Sequence, residues 1–261
     1  METYRNLTKR DSAQERELAG GDIAVMANED LLQILKERNP LEWLDLSRRR
    51  VIGADLSGMD LRNINFACTR FEQVNFDGAD MDGDDVSRCF FVECSFRNVK
   101  LTNADASDSS LRYLDLTGCD FSGTNFYYAA LEFATMDDVK TDERTRFFGD
   151  AVPKEGAFTC WKVAPGGRVI ELRVPADAGR VCATSEAGRC EKAYVVNISS
   201  VDGRTQYTWA TALVDDEFIY EKGKMVYPDN GFSDYGWLDD SPGIHFFMDR
   251  KMAIAFGTGY Y

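Results

Sequence analysis

His245 is the only histidine in the chain, so any serine or cysteine nucleophile paired with an imidazole base would have to use it. It stands in the apolar run Ile244–Phe247. Strand alternation there makes it either a hydrogen-bonded interior residue or part of the polar face opposite Phe246. We therefore expect a structural histidine and a non-enzymatic protein, with an enzyme in the C-terminal part as an alternative.

Carboxylates and thiols are the other groups that could do chemistry. The acidic runs 215–217 and 239–240 flank predicted turns, where solvated side chains are common. Cys89, Cys94 and Cys119 share one position of the repeat described below and are expected to be buried space-fillers. The later cysteines lack the closely spaced pairs of a zinc site, and no glycine-rich phosphate loop is present. We expect neither a metal nor a cofactor.

An aromatic-rich stretch is the strongest sign of a binding site. Residues 227–237 mix Asp, Asn and Gly with aromatic side chains, as binding loops do, and core packing is the competing interpretation. The residues that we predict to contact a partner or ligand are Tyr227, Phe232, Tyr235, Trp237 and His245.

A period of five residues in the distribution of apolar side chains indicates which elements build much of the chain. Every fifth residue from Leu46 to Met136 is apolar, whereas a helix repeats every three or four residues and a strand every two. The period therefore indicates a repeating supersecondary unit. A second inward candidate, usually small, stands two positions before each centre, in most copies with Asp or Asn between them, as in residues 74–76. Asp84 and Arg49 break this rule, which predicts a bulge, a capped end or a solvent-exposed side chain at each.

This pattern resembles the pentapeptide-repeat family over residues 44–143. The resemblance implies a mainly β fold: a right-handed quadrilateral β-helix with four pentapeptides per turn and about five coils. In that fold the centres and the small positions fill the interior. Members of the family that resemble DNA protect topoisomerases.

Each end of such a coil needs a cap, because it exposes unpaired strand edges and an apolar interior. Polar helices are predicted over residues 12–20 and from Asn28, as N-cap, through Arg38. The second helix, with Leu41 and Trp43, is assigned as the N-terminal plug. The predicted domains are 1–43 (helical cap), 44–143 (β-helix), 144–156 (connector) and 157–261 (C-terminal domain).

Longer alternating runs separated by turns predict a β-rich or α+β fold for the C-terminal domain, with a short helix over residues 249–256. Several of its stretches, among them residues 158–162 and 243–250, resemble an uncharacterised domain that follows pentapeptide repeats in many bacteriophage proteins. That resemblance implies a viral origin and carries no activity.

The chain has a net charge of −14, and most of the acidic excess lies in the repeat. Direct nucleic-acid binding is not expected, because it needs Lys and Arg to displace counterions from phosphates. Stacking residue i on residue i+20 collects carboxylates on two neighbouring faces, which is the basis of a DNA-mimic alternative. This acidic surface comprises Asp55, Asp60, Asp80, Asp82, Asp115 and Asp120.

Outward positions on the opposite side are apolar late in the repeat. Such a patch is too large to stay bare. We expect it to be a docking surface for the C-terminal domain, with a homodimer contact as the alternative. This docking patch comprises Phe90, Val92, Tyr113, Tyr127, Tyr128 and Phe133.

Neither a secretory signal nor a run of about eighteen apolar residues is present, which favours a cytoplasmic protein of a bacterial host without membrane contact. The leading hypothesis is a phage-type interaction protein whose C-terminal domain binds a host protein or a small-molecule ligand and blunts a host activity or defence. The second is an acidic DNA mimic that inhibits a topoisomerase or nuclease. An enzyme in the C-terminal domain is the third.

Overall fold

The computed structural model describes residues 23–238 and 241–258. The chain falls into two compact units, one ending at Arg146 and the other beginning at Phe147. It is mainly β with few helices. In the described ranges no helix combines the length and apolarity needed to cross a membrane. The helix predicted over residues 12–20 lies outside these ranges.

Parallel pairing between residues twenty positions apart builds the first unit. Val51 pairs with Phe71, and Phe71 pairs with Phe91. Isolated bridges keep this spacing as far as Asp120, which pairs with Lys140. Every fourth pentapeptide therefore falls in one column, and twenty residues make one coil. The elements of this unit are α1 (Asn28–Glu37), β1 (Leu44–Asp45), β2 (Arg50–Ile52), β3 (Ile64–Asn65), β4 (Arg70–Glu72) and β5 (Phe90–Val92).

The residues of the five-residue period fill the interior of the coil. From Leu46 to Leu131 each of these residues is at most 5% exposed, whereas Met136 is half-buried. Aromatic rings stack along this interior, and those of Phe71 and Phe91 are nearly parallel with centroids 5.2 Å apart. The period is thus an interior period, and it ends one step earlier than predicted.

Polar groups at the small position bond to a backbone carbonyl 23 residues earlier. Cys89 Sγ lies 3.0 Å from Phe66 O, and Cys119 Sγ lies 2.9 Å from Phe96 O. Burial raises the pKa of Cys119 to about 12, so this thiol stays protonated. Cys89 and Cys119 are fully buried, as expected for space-fillers, while Cys94 is half-buried.

Asp84 occupies the same small position and is buried, with 1% of its surface exposed. Its Oδ1 accepts a 2.8 Å hydrogen bond from the backbone N–H of Ile64, while Oδ2 has no partner among the described residues. Burial raises the pKa of this carboxyl to about 8. The prediction of a solvent-exposed side chain is therefore wrong for Asp84. Arg49, the other departure, is half-buried.

A residue in the left-handed conformation turns each corner of the coil, two positions after the centre. Gly58 (φ 64°) suits such a corner, but Tyr113 and Phe133 (φ 62° each) also adopt this conformation. It costs a residue with a side chain roughly 1–2 kcal/mol. The Asp or Asn before each centre supports the corner, as Asp55 Oδ1 does by accepting the N–H of Ser57 at 3.1 Å.

Helix α1 buries Leu31 and Leu35. Its N-cap is Ala27, which has no side chain that could accept a hydrogen bond, so the prediction of Asn28 as N-cap is wrong. The prediction that Leu41 and Trp43 belong to the plug is also wrong, because they are 79% and 57% exposed.

Polar donors at both ends of α1 reach carbonyls at the edge of the first coil. Asn28 Nδ2 donates to Ile52 O at 2.9 Å. Arg38 donates through Nη1 to Arg62 O at 2.7 Å and through Nη2 to Asp60 O at 2.6 Å. On this side of the first coil Val25 forms a parallel bridge with Arg50, and the side chains of α1 and of Arg38 supply further donors that a preceding coil would otherwise provide.

An antiparallel sheet is the centre of the second unit. Its elements are β6 (Phe158–Ala164), β7 (Arg168–Val174), β8 (Arg180–Cys182), β9 (Ala187–Cys190), β10 (Ala193–Ser200), β11 (Trp209–Thr211), β12 (Ile219–Glu221), β13 (Met225–Val226), β14 (Ile244–Phe247) and α2 (Arg250–Thr258). Seven strands follow the order β13-β10-β7-β6-β14-β9-β8, while β11 and β12 form a separate ribbon. The predicted terminal helix is observed as α2, where Asp249 Oδ1 accepts the N–H groups of Lys251 and Met252. Within residues 205–214 only β11 is a strand.

Candidate ligand site in the C-terminal unit

The aromatic-rich stretch forms an irregular loop after β13. The N–H of Gly231 closes a turn on Pro228 O at 3.2 Å, and the N–H of Ser233 donates to Pro242 O at 3.0 Å. Gly231 has a φ of 76°, a conformation that glycine adopts without strain. The loop is thus pinned at its start, and the rest of it needs another anchor.

Arg189 on β9 supplies that anchor. Its side chain is only 2% exposed, and its guanidinium donates to three loop carbonyls. Nη1 lies 2.7 Å from Leu238 O, Nε lies 3.4 Å from Ser233 O, and Nη2 also donates to Tyr235 O. A planar guanidinium with several donors fixes the backbone that it bonds, so the loop is held in one shape over residues 233–238.

The five predicted contact residues have different environments. Tyr227 is 60% exposed and Tyr235 is 37% exposed. The ring of Phe232 lies directly on the backbone of Gly179, where a Cβ would be 2.7 Å from the ring. The ring centroid of Trp237 lies 4.8 Å from that of a phenylalanine, Phe148. Tyr235 and Trp237 are therefore the residues of this set that the anchored loop holds in place.

His245 lies on β14 and is half-buried. Its Nε2 lies 3.0 Å from Ser241 O. Burial lowers the pKa of the imidazole below its usual value, so the ring is neutral at pH 7. This geometry agrees with the interpretation of His245 as a hydrogen-bonded strand residue.

A cavity of about 250 Å³ opens beside the loop. One wall of the cavity is formed by backbone atoms. Two glycines, Gly149 and Gly236, lie there close to the backbone oxygen of Cys182. The side chains that line the cavity are Val152, Lys154, Arg180, Val181, Cys182 and Trp237.

The charged residues that the structure describes in the lining of this cavity are Lys154 and Arg180. Among the described residues that line it, none is acidic. The guanidinium of Arg180 donates hydrogen bonds to backbone carbonyls, including those of Ala178 and Ala176 at 3.0 Å each. The same guanidinium lies 5.1 Å from the ring centroid of Phe158. Lys154, by contrast, is exposed. The cavity therefore combines one fixed and one mobile positive charge with an apolar wall.

Two buried cysteines of the second unit, Cys160 and Cys190, belong to its core and lie outside the lining of the cavity. Burial raises the pKa of Cys190 to about 12 and that of Cys160 further, which keeps both thiols protonated and unreactive. Within the described ranges, no three His, Cys, Asp or Glu side chains are placed to hold a metal ion.

Sequence reasoning missed Arg189, Lys154, Arg180 and Phe148. Arg189 carried a usable signal, because a lone arginine between Gly188 and Cys190 interrupts a run of small residues in a strand. The other three carried none, since they meet Trp237 only after the chain folds.

The acidic surface of the first unit has two local roles. Asp55, Asp60, Asp80, Asp115 and Asp120 each accept the N–H of the residue two positions later through Oδ1. Several also form ion pairs, among them Arg62–Asp60 at 2.7 Å, Arg38–Asp60 at 3.5 Å, Lys100–Asp80 at 3.2 Å and Arg97–Asp115 at 2.5 Å. The Arg62 side chain holds the pKa of Asp60 below its usual range, so this carboxylate stays ionised. Asp82 Oδ1 accepts a hydrogen bond from the hydroxyl of Thr102 at 2.5 Å.

The docking patch is not uniformly exposed. Phe90 is buried and Val92 is half-buried, whereas Tyr113 and Phe133 are 73% and 57% exposed. The rings of Tyr113 and Phe133 stack with centroids 5.2 Å apart, and those of Tyr127 and Tyr128 meet edge to face at 4.6 Å. Its role as a docking surface stays a prediction.

Family comparisons match the two halves of the chain separately. The pentapeptide-repeat model matches eight copies over residues 45–83 and 107–140. The gap begins at Asp84, although the twenty-residue register continues through it. A family of unknown function matches residues 148–253. Neither description names an enzymatic activity, and no curated protein matches the chain.

Similar solved structures are pentapeptide-repeat proteins. HetL of the cyanobacterium Nostoc sp., described as involved in regulation of heterocyst differentiation, is 18% identical over 37% of this chain and 46% of its own, with a TM-score of 0.35. Rfr23 of Cyanothece is 19% identical over 37% and 62%, with a TM-score of 0.19. A thylakoid-lumen protein of Arabidopsis thaliana is 21% identical over 35% and 60%, with a TM-score of 0.22. The match thus spans between about half and three fifths of those chains. Two segments of the chain, residues 45–83 and 107–140, thus match pentapeptide repeats, and the segment that follows them matches a family of unknown function.

Proposed function

We propose that this chain is a non-enzymatic, phage-type interaction protein whose C-terminal unit binds a host protein or a small ligand and blunts a host activity or defence. The observation that carries the proposal is the loop over residues 233–238, which a buried Arg189 holds by three carbonyls. A rigidly held irregular loop with partly exposed aromatic rings is a typical binding element. Tyr235 and Trp237 are its candidate contacts.

We infer that the first unit is the scaffold. We assign it as a right-handed β-helix of about five coils with α1 as its helical cap, following the divisions 1–43, 44–143, 144–156 and 157–261. The hydrogen bonds of Asn28 and Arg38 to edge carbonyls support the assignment of α1 as a cap. We place the protein in the bacterial cytoplasm, and a homo-oligomer is compatible with the proposal.

The DNA-mimic alternative ranks second because of the pairing along one column of the acidic surface. That column begins with Asp60 paired with Asp80 and continues with Lys100, Asp120 and Lys140, each paired with the residue before it. The two lysines beyond Asp80 lower the charge density that a mimic of duplex DNA needs. An enzyme in the C-terminal unit ranks third, since His245 and the buried thiols are committed to structural roles.

The test is affinity capture from bacterial lysate with the full chain, followed by mass spectrometry. We expect a partner that the wild type retains and the double variant Tyr227→Ser/Tyr235→Ser loses, because both side chains lie at the surface and the Arg189 bonds use only backbone. Tyr194→Ser is the matched control, since Tyr194 is 41% exposed on β10.

A second arm changes Asp60, Asp80, Asp82 and Asp120 to Asn, which keeps an oxygen acceptor at each site. Under our proposal these changes leave capture intact. A partner that the quadruple variant loses, that duplex DNA displaces and that ignores the tyrosine changes would instead establish the DNA mimic.

A further inference from the structure

We propose that the cavity beside Trp237 binds a small planar carboxylate, meaning an aromatic ring that carries one carboxylate group. This inference rests on the proposed function and names the chemistry of its ligand. Three features of the cavity support this inference: its size, its aromatic wall and its charged side chains.

The size of the cavity limits the ligand. Its volume of about 250 Å³ lies just below the range of roughly 300–1,000 Å³ that is typical of ligand pockets. A single ring with a short acidic group fits such a space, whereas a nucleotide or an oligosaccharide does not.

The wall of the cavity favours a flat apolar body. The indole of Trp237 is backed by Phe148, with ring centroids 4.8 Å apart and planes at 47°. Val152 and Cys182 are 5% and 6% exposed and add apolar surface. Offset or edge-to-face contact with an aromatic ring is the favourable way to cover this wall.

The charges of the cavity favour an anion. Arg180 carries a full positive charge, yet its hydrogen bonds go to neutral carbonyls such as those of Ala178 and Ala176. Carbonyl dipoles satisfy its donors without cancelling its charge. Lys154 is exposed and has the length to reach a bound carboxylate. Arg180 therefore supplies a fixed field, and Lys154 supplies the charged hydrogen-bond donor.

This chemistry has two possible sources, a free aromatic acid or the C-terminal Phe, Tyr or Trp of a partner protein. Both present a ring and a carboxylate a few bonds apart. The structure assigns the shared chemistry, and the experiment below distinguishes the sources.

The experiment is a calorimetric titration of the full chain with benzoate and with benzamide, which has the same ring but no charge. We expect benzoate to bind and benzamide to bind about tenfold more weakly or not at all. Lys154→Met and Trp237→Leu should each weaken benzoate binding about tenfold. Lys251→Met is the control, because Lys251 is an exposed lysine on α2, and it should bind as the wild type does.

A tripeptide that ends in a free phenylalanine, compared with its amide, separates the two sources. Tighter binding of the free-acid peptide than of benzoate indicates a partner's C-terminus, and its exclusion while benzoate binds indicates a free acid. Equal affinities for benzoate and benzamide, or unchanged benzoate binding by Lys154→Met, would overturn the proposal. Since Lys154→Met removes an exposed side chain, its result does not depend on a change in folding.

The outcome is separable from that of the proposed function. Absence of benzoate binding while the tyrosine-dependent capture succeeds overturns the carboxylate ligand and leaves the interaction protein. Benzoate binding without any captured partner supports the carboxylate ligand and rejects a protein partner.

Discussion

Asp84 is a single carboxyl placed where its column otherwise has Ile64, Ala104 and Thr124. In the folded chain its pKa is raised to about 8, and in the unfolded chain it has its ordinary value of 3.8. Between these values the folded state holds a proton that the unfolded state has lost. Stability therefore falls as pH rises through this window, by about 1.4 kcal/mol per pH unit at most, and becomes level above pH 8.

We predict that Asp84→Asn removes this dependence. The amide is neutral at every pH and can still accept the N–H of Ile64 through its oxygen. Urea unfolding at pH 6.5, 7.2 and 8 should show a falling free energy of unfolding for the wild type and a smaller slope for the variant. Asp85→Asn is the control, because Asp85 is the outward neighbour that accepts the N–H of Ser87. Identical slopes for Asp84→Asn and the wild type would contradict the buried assignment.

Arg189 is a buried ionisable residue of the second unit, as Asp84 is of the first. This one side chain holds a whole loop. We predict that Arg189→Met frees residues 233–238 by removing three hydrogen bonds to carbonyls. Hydrogen exchange should rise in that loop by more than tenfold. Arg204→Met, at an exposed turn, should leave it unchanged. Unaltered loop protection in Arg189→Met would mean that the loop is held by other contacts.

At the scale of elements, α1 shows how a helix can satisfy a strand edge. Its apolar side rests on Leu31 and Leu35, while Asn28 and Arg38 bring donors to carbonyls of the first coil. An unpaired edge favours association with other chains. Apolar packing and edge pairing thus act together in one ten-residue helix.

We predict that Arg38→Met loosens α1. The change removes the donors to Asp60 O and Arg62 O and keeps most of the apolar stem of the side chain. Each lost hydrogen bond to a charged group costs about 1.5–3 kcal/mol. The amides of α1 should then exchange faster in hydrogen-exchange mass spectrometry, whereas Lys36→Met, an exposed change in the same helix, should not alter them. Equal protection in both variants would remove Arg38 from this role.

The sequence predicted those features of the fold that depend on residues close together in the chain. The five-residue period identified the interior from Leu46 to Leu131. In a fold built from one repeated unit, every copy needs an apolar residue at the same interior position, so the pattern recurs many times in the sequence. It could not predict the partners of Arg38, which lie 22 and 24 residues away and accept through backbone carbonyls that any residue type offers.

The candidate site was predictable only in part, for the same reason. Trp237 and Tyr235 stand out as aromatic residues in a polar loop. Lys154, Arg180 and Arg189 belong to three other segments, and nothing in their local sequence says that they meet at one place. The wrong predictions for Leu41 and Trp43 came from treating apolar residues beside a helix as part of its buried face.

At the scale of the molecule, the chain falls into two compact units. The first is built on the stacked centres of the coil, and the second on strands such as β7 and β10, where Leu172 and Val195 are fully buried. The second unit also has a smaller cluster of buried residues around Val163, Val169 and Phe247. The division of the chain into two compact units favours separate unfolding.

We predict that Phe91→Asp removes one thermal transition and leaves the other. Phe91 is 4% exposed and contacts Phe71, Phe76 and Phe96, so a charge there costs several kcal/mol. Differential scanning calorimetry should retain the transition of the second unit at its original temperature. Arg97→Glu on the exposed wall should cost about 1 kcal/mol or less. A single transition that moves as a whole in Phe91→Asp would contradict separate unfolding.

The twenty-residue register also sets which insertions the repeat accepts. A duplicated pentapeptide would preserve every local turn, yet each later residue would move one wall around the coil and meet a new neighbour above and below. The aligned rings of Phe71 and Phe91 would no longer share a column if five residues entered between them. Duplication of twenty residues would restore every column. Insertion of whole turns therefore keeps the arrangement of side chains on the surface of the coil. Insertion of part of a turn keeps the path of the backbone and changes which side chains are neighbours on the surface.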